Sequence, residues 1–270
     1  MGRQACRKAL AAAAVLLAVV CLSGISGGNS MSDIRLTAHR GASVHRPENT
    51  MAAFRTAVAL GVDCIELDLR TTSDGVLVVS HDENLSRTTG VDRDVNQMSY
   101  QDLRKLRAGN GYSAEYDGER IPTFEEVLEM AEKAGIRLDT EIKPDTLSTE
   151  EDMKNLIALI ERYQMQDLCT LSSENYTVLR RIKQYRPGIT TNYVVGKQAK
   201  RIESLRYADE ISMNLNAVTA ETVRQAHDAG KRLLAWTADT PAEIRAMTDL
   251  RVDGIITDNP VLAKLVWTFG

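Results

Sequence analysis

A single (β/α)8 barrel carrying one small insertion is the fold class this sequence predicts, and three observations carry it. Strand-like runs at 34–39, 62–69, 136–142, 168–172, 189–195, 209–213, 231–236 and 253–257 number eight. Helical patterns stand between them, and strands alternating with helices over about 240 residues favour a parallel sheet closed on itself. No long linker divides residues 31–270, so one domain is expected there.

Residues 1–30 stand apart. Arg3, Arg7 and Lys8 precede an uncharged run from Ala9 to Leu22, followed by the small-residue tract Ser23 to Ser30. Basic, apolar, then small is the order of a secretory signal, and the apolar part is shorter than the roughly 20 residues of a spanning helix. Export (secreted, periplasmic or envelope-associated) is the better reading. An uncleaved N-terminal anchor with membrane association is the runner-up, and a start at Met31 would leave the protein cytoplasmic.

The chain then reads in order. A strand at 34–39 ends at His39. A helix opens after Pro47-Glu48-Asn49-Thr50, with Asn49 or Thr50 as N-cap, Met51, Phe54 and Val58 as its apolar stripe, and Gly61 as its stop. The strand at 62–69 is followed by Asp74-Gly75, a hairpin signal, so 76–80 runs back antiparallel and returns His81 to the level of Glu66 and Asp68. Residues 83–121 break the periodicity around one short helical piece at 100–106; a connection that long is a substrate-facing insertion or a tolerated surface loop. Thr123 to Glu126 is a capping box opening the next helix. Helical patterns follow at 149–164, 174–186, 198–206, 219–229 and 241–248, with a last helix from Pro260.

Composition narrows the function. Without residues 1–30 the formal charge moves from −4 to about −7, and no Lys/Arg stripe is interleaved with aromatics, so nucleic acid is not an expected partner. Cys6 and Cys21 lie in the leader. Cys64 and Cys169 fall on strands two apart, about 9–10 Å, beyond the reach of a disulfide, so two buried free thiols are expected.

Chemistry-bearing residues gather at strand ends, where a barrel of this kind keeps its active site. Glu66 and Asp68, at i and i+2, share one face of a strand while Ile65, Leu67 and Leu69 share the other. Two carboxylates that close repel unless one is protonated or a cation lies between them, and hard divalent cations prefer oxygen ligands. Asp139, Glu141 and Lys143 repeat the alternation on the next barrel strand. His39, Arg40, His81 and Trp236 complete the set. Singly each has a bland reading, as a solvated surface charge or a structural histidine. Together they would place several charges inside a packed barrel, which is unfavourable unless they are paired or bound. His227 falls on a predicted helix and His45 in a loop, without comparable settings.

His39-Arg40-Gly41, Pro47-Glu48-Asn49-Thr50, Glu66-Leu67-Asp68, Asp74-Gly75, His81-Asp82, Glu141-Ile142-Lys143, Trp236-Thr237 and Asp253-Gly254-Ile255-Ile256-Thr257-Asp258 resemble, in order and spacing, the glycerophosphodiester phosphodiesterases. The resemblance runs through residues 34–262. It departs at Leu171-Ser172-Ser173-Glu174, where a Ser-Phe pair is expected, and at Asp239, where Asn is commoner. It implies a (β/α)8 barrel with an insertion after the second histidine motif and one divalent cation, Ca²⁺ or Mg²⁺, on Glu66, Asp68 and Glu141. It further implies His39 and His81 as the acid/base pair, with Arg40, Lys143 and Trp236 contacting a glycerophosphodiester. The expected reaction is hydrolysis to sn-glycerol 3-phosphate and an alcohol. Two alternatives stand beside it: a lysophospholipase D acting on lysophospholipids, and a catalytically silent barrel that binds phosphodiesters.

Overall fold

A computed structural model describes residues 34–144, 146–197 and 201–269. The leader expected at 1–30 lies outside the described residues. Among the described residues nine strands form: β1 Arg35–Ala38, β2 Cys64–Thr71, β3 Leu77–Val79, β4 Arg137–Ile142, β5 Cys169–Ser173, β6 Thr191–Val195, β7 Glu210–Asn214, β8 Arg232–Trp236 and β9 Gly254–Thr257. Their order is β1-β9-β8-β7-β6-β5-β4-β2-β3, and β1 pairs with β2 as well, so eight parallel strands close into a barrel. The antiparallel β3 lies outside the ring against the end of β2, with Leu69 opposite Val79 and Thr71 opposite Leu77. That pairing explains why β2 runs two residues beyond the predicted stop at 69: the hairpin return supplies partners for Arg70 and Thr71.

The helices are α1 Met51–Ala59, α2 Ser86–Thr89, α3 Tyr100–Leu103, α4 Phe124–Ala134, α5 Glu150–Arg162, α6 Tyr176–Tyr185, α7 Ala220–Asp228, α8 Pro241–Asp249 and α9 Pro260–Phe269. Sequence fixes several starts through side chains that accept otherwise unpaired N–H groups. Thr123, Thr149, Thr219 and Thr240 each form a capping box, that of Thr123 with Glu126 as expected. The helix expected at 198–206 is a correction. Residues 198–200 lie outside the described residues, and of the rest only Ile202–Ser204 forms a 3-10 turn. Arg201 before it sits at φ 58, the left-handed region, which a right-handed helix cannot continue through.

The apolar core lies between sheet and helices, where Ile65, Leu67, Leu138, Leu171 and Ile255 meet Phe54, Phe124, Leu128 and Leu156, all completely or almost completely buried. Each such side chain contributes on the order of 1.5–3 kcal/mol on burial. The insertion, residues 83–121, is built from α2, α3 and two 3-10 turns, and keeps a small cluster of its own in Leu85, Val95, Leu103, Ala108 and Ile121 around Val78 of β3.

The inside of the barrel is polar. Asn192 Nδ2 of β6 donates to Asp139 Oδ2 of β4 at 3.0 Å and to Ser212 Oγ at 2.7 Å. Arg35 of β1 donates to both oxygens of Glu210 of β7, at 3.0 and 2.5 Å. Neither β4 and β6 nor β1 and β7 are neighbours in the sheet, so these bonds cross the interior.

Candidate active site

His39 leaves the end of β1, its backbone N–H held by Thr257 O of β9 at 2.9 Å. Arg40 follows at φ 54 and Gly41 at φ 80, which turns the chain sharply out of the barrel. Gly41 has a second reason to be glycine: a Cβ there would lie 2.8 Å from the backbone of Ala53 in α1. This turn aims the Arg40 backbone N–H at Glu66 Oε2, 2.8 Å away. The guanidinium reaches Glu48 Oε1 with Nη1 at 2.9 Å, while Nε lies 3.4 Å from Asp68 Oδ2.

Register brings the carboxylates together. β2 and β4 pair with Asp68 opposite Glu141, so the side chains of Glu66, Asp68 and Glu141 converge with an oxygen from each inside 4.8 Å of the others. Thr50 caps α1, accepting from Ala53 N at 3.3 Å, and this settles the choice left open between Asn49 and Thr50. Asn49 is thereby free for the site: at φ 55 its Nδ2 donates to Asp68 Oδ2 at 2.8 Å. Lys143, just past β4, places its ammonium 2.9 Å from both Asp68 Oδ1 and Glu141 Oε1.

The hairpin delivers the second histidine. Ser80 N donates to Asp68 O at 2.9 Å, and His81 follows directly, its carbonyl held by Arg70 Nε and Nη2 at 3.0 and 2.8 Å. Trp236 ends β8. One cleft is lined by His39, Arg40, Glu66, His81, Glu141, Lys143 and Trp236 together, with Asp68 buried behind them. His227 lies on α7 against Asp253 at 2.9 Å, and neither it nor His45 is among the residues lining the cleft.

Each cleft histidine leans on a carboxylate. His39 Nδ1 is 2.6 Å from Asp258 Oδ1 and His81 Nδ1 is 2.7 Å from Asp82 Oδ1. Burial opposes ionisation of Asp258 and Asp82, but the hydrogen bonds and charges around them hold both below the usual carboxylate range. An ionised carboxylate only accepts, so in both pairs the ring N–H donates from Nδ1, leaving Nε2 of the neutral ring as acceptor. His39 Nε2 lies 3.9 Å from Glu66 Oε2. Burial pulls the His39 pKa down, yet Glu66 and Asp258 outweigh it and leave it raised; His81 is lowered, by burial first and by the charges of Lys143 and Arg40.

Fully ionised, the three carboxylates would carry one negative charge more than Arg40 and Lys143 offset, and burial works against that state. Burial pushes Glu66 up, with the Asp68 charge adding to it, and burial likewise raises Glu141. Asp68 goes the other way, because Lys143 and Arg40 outweigh its burial. All-oxygen donors around a shared point, bridged on one side by the Lys143 ammonium, suit a hard divalent cation. The group Glu66, Asp68 and Glu141 can hold one.

Sequence reading missed the supporting residues. Asp82 and Asp258 stood inside quoted motifs without a role. Asn49 reads from sequence only as a helix cap. Glu48 likewise stands inside a quoted motif without a role, and nothing in the local pattern marks Arg87, whose contact with Glu48 spans 39 positions.

A (β/α)8 barrel that gathers two carboxylate-backed histidines, three acidic side chains, an arginine and a lysine in one cleft has the make-up of an acid/base enzyme for an anionic substrate. The model of the glycerophosphoryl diester phosphodiesterase family matches residues 39–262, and the chain belongs to that family. A glycerophosphodiester phosphodiesterase of Caldanaerobacter subterraneus is 36% identical over 226 residues, covering 83% of this chain and 93% of that protein. A phosphodiesterase of Oleispira antarctica, solved in complex with the product sn-glycerol-3-phosphate, superposes with a TM-score of 0.80 at 29% identity, covering 86% of this chain and 96% of that one. A human lysophospholipase D is 35% identical over 149 residues, 53% of this chain and 46% of that protein.

Proposed function

We propose that this protein hydrolyses glycerophosphodiesters to sn-glycerol 3-phosphate and an alcohol, using a divalent cation and histidine acid/base catalysis. The observation that carries the reading is the pair His39–Asp258 and His81–Asp82 facing one cleft that also holds Glu66, Glu141, Arg40 and Lys143.

A diester anion repels an incoming nucleophile. Arg40 and Lys143 bring two positive charges to the cleft and offset the negative charge that grows on the phosphoryl oxygens in the transition state. A bound divalent cation on Glu66, Asp68 and Glu141 would add Lewis-acid polarisation of the same oxygens. One histidine takes the proton of the attacking hydroxyl at Nε2, and the other, protonated, gives one to the leaving oxygen; each transfer contributes on the order of 10² to 10⁴ in rate. The attacking hydroxyl is water or the neighbouring glycerol hydroxyl. Trp236 offers a flat apolar wall beside the polar contacts. The Oleispira protein supports the product, since it was solved in complex with sn-glycerol-3-phosphate. The leader supports export as the place of action.

The substrate class is tested by comparing release of glycerol 3-phosphate from glycerophosphocholine with cleavage of lysophosphatidylcholine. Faster turnover of the deacylated diester is expected. Preference for the lysophospholipid moves the protein to the lysophospholipase D reading, and turnover of neither moves it to the silent barrel.

A further inference from the structure

Arg87 belongs to α2, in the insertion, and about half of its side chain is exposed. Its guanidinium is nevertheless fully engaged on one side. Nε donates to Asp82 Oδ2 at 2.6 Å, while Nη1 and Nη2 donate to Glu48 Oε2 and Oε1 at 2.6 and 2.7 Å. Both acceptors have a second duty. The other oxygen of Asp82 takes the Nδ1 proton of His81 at 2.7 Å, and Glu48 Oε1 also takes Nη1 of Arg40 at 2.9 Å. One side chain of the insertion therefore stands behind two cleft residues, His81 through Asp82 and Arg40 through Glu48.

We propose that Arg87 is a positioning residue that couples the insertion to the chemistry, fixing the His81 ring and the Arg40 fork at once. This rests on the roles given to His81 and Arg40 above. The chemical reason is shape. A planar fork satisfies a carboxylate with two parallel bonds and still presents Nε to another acceptor, whereas a lysine ammonium is a point charge that cannot span both in that geometry. Surface ion pairs add little to stability, so the fold does not depend on this contact. Alignment does: a misplacement near 1 Å in a catalytic group costs about 10²-fold in rate. Without Arg87, Asp82 and Glu48 lose the cation between them, and His81 and Arg40 lose their fixed supports. It follows that the insertion is a working part of the site and that its docking sets the cleft.

The test uses the full chain with glycerophosphocholine and saturating divalent cation, following kcat, KM and thermal midpoint for Arg87→Ala, Arg87→Lys, Glu48→Gln, Asp82→Asn and the two double variants containing Arg87→Ala. Arg87→Ala is expected to lower kcat about 10-fold and raise KM about 10-fold, with the midpoint little changed. Asp82→Asn reproduces chiefly the kcat loss and Glu48→Gln chiefly the KM rise. Adding either to Arg87→Ala makes that parameter no worse, because the two act in one chain. Free guanidinium ion restores part of the activity of Arg87→Ala, and Arg87→Lys restores less than half. Wild-type turnover with Arg87→Ala within twofold on both parameters overturns the inference while leaving the function intact. So do fully additive losses, or a loss that follows the fall in thermal midpoint. A folded wild type that turns over no phosphodiester overturns both.

Discussion

The Nδ1 of His39 lies 2.6 Å from Asp258 Oδ1, and the same oxygen accepts from Ser43 Oγ at 3.0 Å. Asp258 is itself placed by the end of β9, its backbone N–H bound to Asp239 Oδ1 at 2.8 Å. The carboxylate decides which ring nitrogen of His39 carries the proton. Asp258→Asn keeps the shape but presents an amide that can donate, so the ring turns to its other tautomer. We expect kcat to fall about 10² to 10⁴-fold with KM changed only a few-fold. Steady-state kinetics check this; a loss confined to KM contradicts it.

The acidic trio has a readout apart from activity. A ligand bound only by the folded protein stabilises it by about 2.7 kcal/mol at a concentration 100 times its dissociation constant. For a chain this size that is a rise of roughly 5–10 °C in Tm. Ca²⁺ or Mg²⁺ is expected to raise the Tm of the wild type and to leave Glu66→Ala unmoved, as scanning calorimetry with and without EDTA would report.

Inside the barrel, Arg35 and Glu210 form a buried pair, with Arg232 Nη1 a further 3.3 Å from Glu210 Oε1. Removing one partner strands the other. Glu210→Ala should therefore cost about 3–5 kcal/mol, measured by denaturant unfolding, whereas Arg35→Leu with Glu210→Leu together should cost far less. Equal losses in the single and double variants would show that packing volume, not the uncompensated charge, sets the penalty.

The two thiols of the barrel are expected to be silent. Cys64 and Cys169 are free and buried, and burial pushes the Cys169 pKa up to about 12 and that of Cys64 higher still. The native state therefore favours the protonated thiols, a preference fully present below the ordinary thiol pKa and lost as pH rises through the shifted values. At about pH 9, where an exposed thiol with a pKa near 8.5 is mostly thiolate, neither should react with a disulfide reagent until the protein is unfolded. In the protein from Met31 onward, which keeps only these two cysteines, rapid labelling of one equivalent in the native state would contradict this.

The barrel was legible in the sequence because strand and helix periods alternate and because turn chemistry is local. The Asp74-Gly75 hairpin and the Thr123–Glu126 capping box needed only neighbours in the chain. The cleft residues were legible as motifs, since Glu66 and Asp68 share a face by the pleat alone. What holds them was not. Asn49 reaches Asp68, Asp258 reaches His39 and Arg87 reaches Glu48 across 19, 219 and 39 positions, and such contacts exist only once the barrel closes. Over its described residues the helix expected at 198–206 gives way to a 3-10 turn after Arg201, whose left-handed backbone no periodicity reveals.

Metal-dependent histidine catalysis is tested by release of glycerol 3-phosphate from glycerophosphocholine and glycerophosphoethanolamine by the protein from Met31 onward, with Mg²⁺, Ca²⁺ or EDTA, beside Glu66→Ala and His39→Ala. Turnover is expected to require the cation, to vanish in EDTA and return when metal is restored, and to fall at least about 10²-fold in each variant. Undiminished turnover in EDTA, or a His39→Ala protein as active as the wild type, would contradict it.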